Sequence, residues 1–266
     1  FTNHTSYAMT SEELKQLLDE KYTEYCRSDF FIGTDPIQIP KMFEDKEDIE
    51  ISGFLAASLA WGQRPTIIKK CRELMQLMEY TPYDFILHAS DSDFHRFHQF
   101  KHRTFNGYDC CYFIQSLAEI YRRQGGLEKV FTTAWQEHQD MFEVLRCWYT
   151  AFTILPAEPR VLRHIACVEK GSACKRINMF LRWMVRKDQS GIDFGLWKGI
   201  PASALLIPLD LHTGNISRQL GLLTRKQNDA RAVKELTGRL RTFDPDDPIR
   251  YDFALFGLGA FNNTNK

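Results

Sequence analysis

Apolar residues return every three or four positions along most of this chain, and runs that alternate apolar with polar are scarce. A sheet therefore has little material to be built from, and an all-α fold is expected. Thr10 and Glu13 form a capping-box pair ahead of Leu14, Leu17 and Leu18 at helical spacing. Helices are expected over 49–61 and 66–78, broken by Gly62-Gln63-Arg64-Pro65. A further amphipathic helix over 108–123 stops at Gly125-Gly126. The series continues over 127–138, 142–154, 160–168, 172–186, 213–220, 229–240 and 247–258, with irregular connections over 33–46, 90–106 and 187–208. No repeat or low-complexity linker divides the chain, and the expected division is an N-terminal helix and loop (1–46) followed by one helical domain (47–266).

With 44% apolar residues, 266 residues can bury a real core. The formal net charge is zero, so no global field draws the chain to nucleic acid. Charge is nevertheless uneven. Between 160 and 187, Arg160, Arg163, Lys170, Lys175, Arg176, Arg182, Arg186 and Lys187 stand against a single acid, Glu169. A cationic surface and a solvated helix face balanced by acids elsewhere both fit that excess. His95, His98 and His102 share the 90–106 stretch with Arg96, Lys101 and Arg103. Metal binding, a cationic loop beside a phosphate path and a plain surface loop are the three readings of that stretch.

The seven cysteines form no Cys-x2-Cys pair, which argues for reduced thiols in a cytoplasmic protein and against zinc or iron–sulfur ligation. No metal and no cofactor are expected. Residues 1–5 show no basic or apolar signal-peptide region, and no apolar run approaches the roughly 18 residues of a membrane span. No membrane partner is expected.

Two residues stand out chemically. Lys175 follows a Gly171-containing turn at the start of an expected helix, and Asp210, in Pro208-Leu209-Asp210-Leu211-His212, stands where another helix opens. An amine and a carboxylate at helix N-termini supply a nucleophile and a charge stabiliser, enough to break a bond at a sugar carbon.

The order of the segments resembles the helix–hairpin–helix DNA glycosylase superfamily. Ser58-Leu59-Ala60-Trp61-Gly62-Gln63, between two helices, is similar to the early helix pair of endonuclease III-like enzymes. Gly107-Tyr108 through Gln124-Gly125-Gly126-Leu127 resembles a stretch of the 8-oxoguanine glycosylases. Lys175-Arg176-Ile177-Asn178-Met179-Phe180 sits where the superfamily carries its hairpin and catalytic lysine, here with the hairpin near 168–186. Pro208-Leu209-Asp210-Leu211-His212 is similar to the signature carrying its catalytic aspartate, and Tyr251 to Gly257 to its closing apolar helix. The hairpin holds one glycine, Gly171, and Lys175 and Asp210 lie 35 residues apart; an archaeal 8-oxoguanine glycosylase branch is similar in both respects. The chain as a whole also resembles a bacterial family of unknown function.

The resemblance implies two closely packed helical subdomains and a monomeric enzyme of DNA repair acting on damaged double-stranded DNA, a glycosylase with abasic-site lyase activity on a modified base such as an oxidised purine. Lys175 and Asp210 would be catalytic. A free lysine amine is present in only about one molecule in 2,500 at neutral pH, so a working nucleophile needs its ammonium form disfavoured. Gln63 is the candidate wedge into the gap left by a flipped base. Arg64, Gly171, Ser172, Ala173, Cys174, Arg176, His212 and Thr213 are candidate DNA contacts, the backbone N–H groups at the two helix starts facing phosphates. Trp61, Trp197 and Phe256 are candidate base-pocket residues, although aromatic residues in helices are more often core. A non-catalytic helix–hairpin–helix nucleic-acid-binding protein is the alternative, and a helical scaffold for another protein is a third reading that the neutral charge allows.

Overall fold

A computed structural model describes residues 9–261 of the chain. The α-helices among them are α1 (Ser11–Tyr25), α2 (Ser28–Phe31), α3 (Lys46–Ser58), α4 (Arg64–Leu77), α5 (Pro82–His88), α6 (Gly107–Arg123), α7 (Leu127–His138), α8 (Met141–Phe152), α9 (Pro159–Leu162), α10 (Lys175–Val185), α11 (Leu211–Gln219), α12 (Ala230–Phe243) and α13 (Tyr251–Phe261). One antiparallel hairpin, β1 (Lys101–His102) with β2 (Phe105–Asn106), is the only paired-strand unit longer than an isolated bridge among the described residues. The fold is predominantly helical, as the apolar spacing requires.

Helix ends follow their caps. Glu13 N–H donates to Thr10 Oγ1 (3.2 Å) and Thr10 N–H to Glu13 Oε2 (2.7 Å), which closes the expected capping box of α1. A second box, Asn106 with Asp109, starts α6 at Gly107. Pro65 occupies the first turn of α4, where a missing N–H costs nothing, so α4 begins at Arg64 rather than 66. Two expectations need correction. The helix expected over 160–168 is a single turn, α9, and Val168–Lys170 is a separate 3₁₀ turn. The helix expected over 247–258 begins only at Tyr251, after a 3₁₀ turn at Pro248–Arg250.

α10 runs through the core, with every residue from Ile177 to Val185 buried. Phe180 meets Phe54 of α3 edge-on at 5.8 Å and Trp197 at 5.5 Å. Each such ring contributes about 1.5–3 kcal/mol by leaving water. The buried arginines at the end of α10 are matched by acids, whereas Asn178 Oδ1 and Trp183 Nε1 are buried without a hydrogen-bond partner among the described residues. Buried Arg182 donates to Asp193 (3.2 Å) and to Asp252 of α13 (2.6 Å). Arg186, just past the helix, donates to Asp193 (3.0 Å), Asp188 (3.1 Å), Asp247 (3.0 Å) and the Tyr22 hydroxyl (2.8 Å). This network ties the C-terminal end of α10 to α13, to α1 and to the 187–197 connection.

Candidate active site

Lys175 is the first residue of α10, and the turn before it sets its position. Gly171 takes a left-handed conformation (φ +81°) that closes the Val168–Lys170 turn. Its carbonyl accepts from Ala230 N–H at the start of α12 (3.0 Å), and Ser172 Oγ accepts from Cys174 N–H (3.1 Å). Cys174, a second left-handed residue at φ +50°, caps α10 without a side-chain hydrogen bond. The first N–H groups of α10 thus have no side-chain cap, and the positive end of the helix lies beside Lys175.

Asp210 caps α11. Its Oδ1 accepts from Thr213 N–H (2.9 Å), while its carbonyl accepts from Gly214 N–H (2.9 Å) and Asn228 Nδ2 (3.0 Å). Buried Pro208 and Leu209 lead into it, so the carboxylate is held from both sides.

Lys175 and Asp210 line one narrow cleft of about 40 Å³ with Phe31, Asp35, Arg64, Arg182, Thr213, Asp252 and Phe256. Three cations (Arg64, Lys175, Arg182) therefore meet three carboxylates (Asp35, Asp210, Asp252). Burial pushes the Asp252 carboxyl up to about 6; the Arg182 guanidinium and the Lys175 ammonium oppose that rise, and the Asp210 carboxylate adds to it. Asp252 and Asp35 were not among the residues singled out by sequence, and Arg182 stood out there only as one of the cations over 160–187. The available signal was an acid inside the otherwise apolar start of α13, Tyr251-Asp252-Phe253-Ala254-Leu255.

The remaining candidates divide. Arg64 places its guanidinium 4.5 Å from the centre of the Phe256 ring, so these two form one wall of the cleft. Gln63, next to Arg64, is exposed and makes no side-chain cap bond to α4. Thr213 is buried at the cleft floor, whereas His212 is exposed on the first turn of α11. Gly171, Ser172, Ala173 and Cys174 form the turn described above, with Cys174 buried. Trp61 and Arg176 face a second cleft, with the Arg176 guanidinium 4.9 Å from the Trp61 ring centre. The structure does not bring Trp197 to either cleft: it is 1% exposed, and its Nε1–H donates to Glu50 Oε1 (2.7 Å). That bond and one from the Tyr121 hydroxyl (2.6 Å) serve a buried carboxyl whose pKa burial raises, so Trp197 is a core residue.

The hairpin also departs from the expectation of two helical arms. A three-residue 3₁₀ turn, Val168–Lys170, stands before Gly171, and α10 is the second arm. In the histidine-bearing stretch, His102 is buried with Nε2 3.0 Å from the Trp61 carbonyl oxygen. Among the described residues no group of three His, Cys, Asp or Glu side chains is placed to hold a metal ion, and no helix is long and apolar enough to cross a membrane.

Fold and cleft together define a helical protein in which a helix-initial lysine and a helix-capping aspartate line one charge-balanced cleft. A family model matches residues 35–261, and the chain belongs to that family, described as protein of unknown function (DUF2400). Searches of curated proteins and of solved structures each returned no match.

Proposed function

We propose that this protein is a DNA glycosylase with abasic-site lyase activity, built on a helix–hairpin–helix glycosylase-like fold and acting on a flipped, modified nucleotide. The observation that carries this reading is that Lys175 and Asp210, far apart in sequence, line a single cleft. The free amine of Lys175 attacks the sugar C1′; the bond from C1′ to the base breaks, its electron pair leaves with the base, and the base takes up a proton. Asp210 stabilises the positive charge that develops on the sugar. Ring opening gives a Schiff base between Lys175 and C1′, from which β-elimination breaks the 3′ phosphodiester bond. Phe256 and Arg64 form the wall against which a flipped base would rest, and exposed Gln63 is the wedge.

Borohydride reduction tests the reading, because it converts a Schiff base into a stable covalent adduct. The wild-type protein should be trapped on DNA carrying an abasic site, and Lys175→Ala should not. Absence of an adduct in the wild type, or an equal adduct in the variant, overturns the lyase. One feature favours the second reading, a nucleic-acid-binding module without chemistry: the first arm of the hairpin is only a 3₁₀ turn. Binding to abasic DNA that weakens with salt, in the absence of any adduct, would decide for the module.

A further inference from the structure

Beside the lysine cleft lies a second and larger one, of about 760 Å³, between the turn joining α3 to α4, the β1–β2 hairpin, α9 and the start of α10. Five cationic side chains line it (Lys101, Arg103, Arg160, Arg163 and Arg176), with His164, and no carboxylate is among its lining residues. Arg160 is satisfied from beneath, donating to buried Asp109 (2.5 Å). Among the described residues no carboxylate pairs with the other four. Arg176 is partly buried and donates only to backbone carbonyls, Ser58 (2.5 Å) and His164 (3.2 Å), with its face on Trp61. Burial lowers its pKa from the usual guanidinium value, and among the described residues only the neighbouring Cys174 thiol opposes that effect, with no carboxylate contributing.

The walls are fixed in place. His102 is buried and packs edge-on against Trp61 at 4.7 Å, which pins the hairpin to the α3–α4 turn. Arg103, in the hairpin turn, takes a left-handed conformation at φ +54°, a costly one for a residue with a Cβ. Its guanidinium lies against Gly62, where a Cβ would come within 3.0 Å of Nη1. Like charges held together on rigid elements repel one another unless an anion sits between them.

We propose that this basic cleft is a phosphate-binding site, and that the phosphate it takes belongs to a nucleic-acid strand. The strand as source rests on the proposed function; the phosphate chemistry does not. Arginine forks and a lysine are the side chains that grip phosphate oxygens, and the cleft is wide enough to follow a backbone rather than enclose a single ion.

Lys101→Ala, Arg103→Ala and Arg163→Ala, singly and as a triple variant, test the site, since none of the three has a carboxylate partner whose loss would unfold the chain. The probes are a fluorescent duplex bearing a tetrahydrofuran abasic analogue, and inorganic pyrophosphate. Each single substitution should lower the slope of log Kd against log salt by about one contact, and the triple variant should bind the duplex roughly 100-fold more weakly. Duplex binding that the triple variant loses supports both the phosphate site and its source. If the wild type binds pyrophosphate, the triple variant does not, and neither binds the duplex, the strand is wrong and the site takes a free phosphate ester. Unchanged affinity and slope for both probes in the triple variant overturn the proposal. Because binding is measured without borohydride, a failure of lysine trapping alongside intact duplex binding counts against the lyase alone.

Discussion

The two clefts at the start of α10 are lined by consecutive residues, Lys175 and Arg176, about 100° apart around the helix, yet they are electrostatic opposites. The Lys175 cleft sets three cations against three carboxylates. The Arg176 cleft gathers five cations with no carboxylate in its lining. A balanced, narrow site can change the protonation or charge of one member and feel it strongly, which suits chemistry. An unbalanced, open site attracts anions, which suits binding. Zero net charge over the whole chain conceals this division.

The sharpest way to break the comparison is to remove the lysine from the balanced cleft. Lys175→Ala should abolish borohydride trapping completely while leaving duplex affinity within about 3-fold of wild type, because phosphate contacts rest on the other cleft. A large loss of affinity in this variant would mean the two clefts do not divide the work. Asp210→Asn comes next. Asparagine caps a helix about as well as aspartate, so the melting temperature should hardly move, while trapping slows by about 100-fold through the lost charge. A fall in melting temperature with unchanged trapping would reduce Asp210 to a cap.

A smaller effect comes from Asp252, the buried acid of the balanced cleft. Its folded value of about 6 lies above the ordinary 3.8, so the folded chain holds this proton more tightly than the unfolded chain does. Stability from this group is therefore greatest at low pH, declines as pH rises from about 4 to about 6, and is flat above that. Asp252→Asn cannot titrate. Across that window the wild type should lose stability relative to the variant by roughly 3 kcal/mol, read from urea unfolding at a series of pH values. Parallel pH profiles for the two proteins would show that Asp252 carries no such burden.

How much of this was legible in the sequence depended on whether the signal was local. Caps and periodicity lie within a few residues, so α1, α6, α7 and α10 were readable from Thr10–Glu13, from Gly125-Gly126 and from apolar spacing. The helix expected over 160–168 was not, since helix-like spacing there is overridden by Arg160 reaching Asp109 and by Val168–Lys170 turning into the Gly171 hairpin. Lys175 and Asp210 were legible because each marks a helix start. Their shared cleft was not, because it depends on α13 and the Asp35 turn packing over α10. The excess of positive charge over 160–187 was visible, but its meaning was divided: Arg182 and Arg186 are buried and paired, while Arg163 and Arg176 face the basic cleft. Sequence order alone does not reveal which cations find acids. Trp197 carried no signal of its burial beyond being a tryptophan.

The smallest functional effect is expected from Trp197, which belongs to neither cleft and so checks that the contrast is not a general response to substitution. Trp197→Phe keeps most of the ring's packing against Phe131 (5.4 Å) and Phe180 (5.5 Å) but removes the hydrogen bond to Glu50. Glu50 keeps Tyr121, with Lys46 3.7 Å away, so the loss should be about 1–3 kcal/mol of stability, the cost of leaving part of a buried polar group unsatisfied. Burial already raises the Glu50 carboxyl, and the tryptophan N–H is one of the groups holding it down. The carboxyl should therefore take up its proton at a higher pH in the variant, which limits the loss near neutral pH. Duplex affinity, salt slope and trapping should all stay within about 2-fold of wild type. A specific loss of trapping at unchanged stability would instead place Trp197 against the flipped base and require the core around Glu50 to open during the reaction.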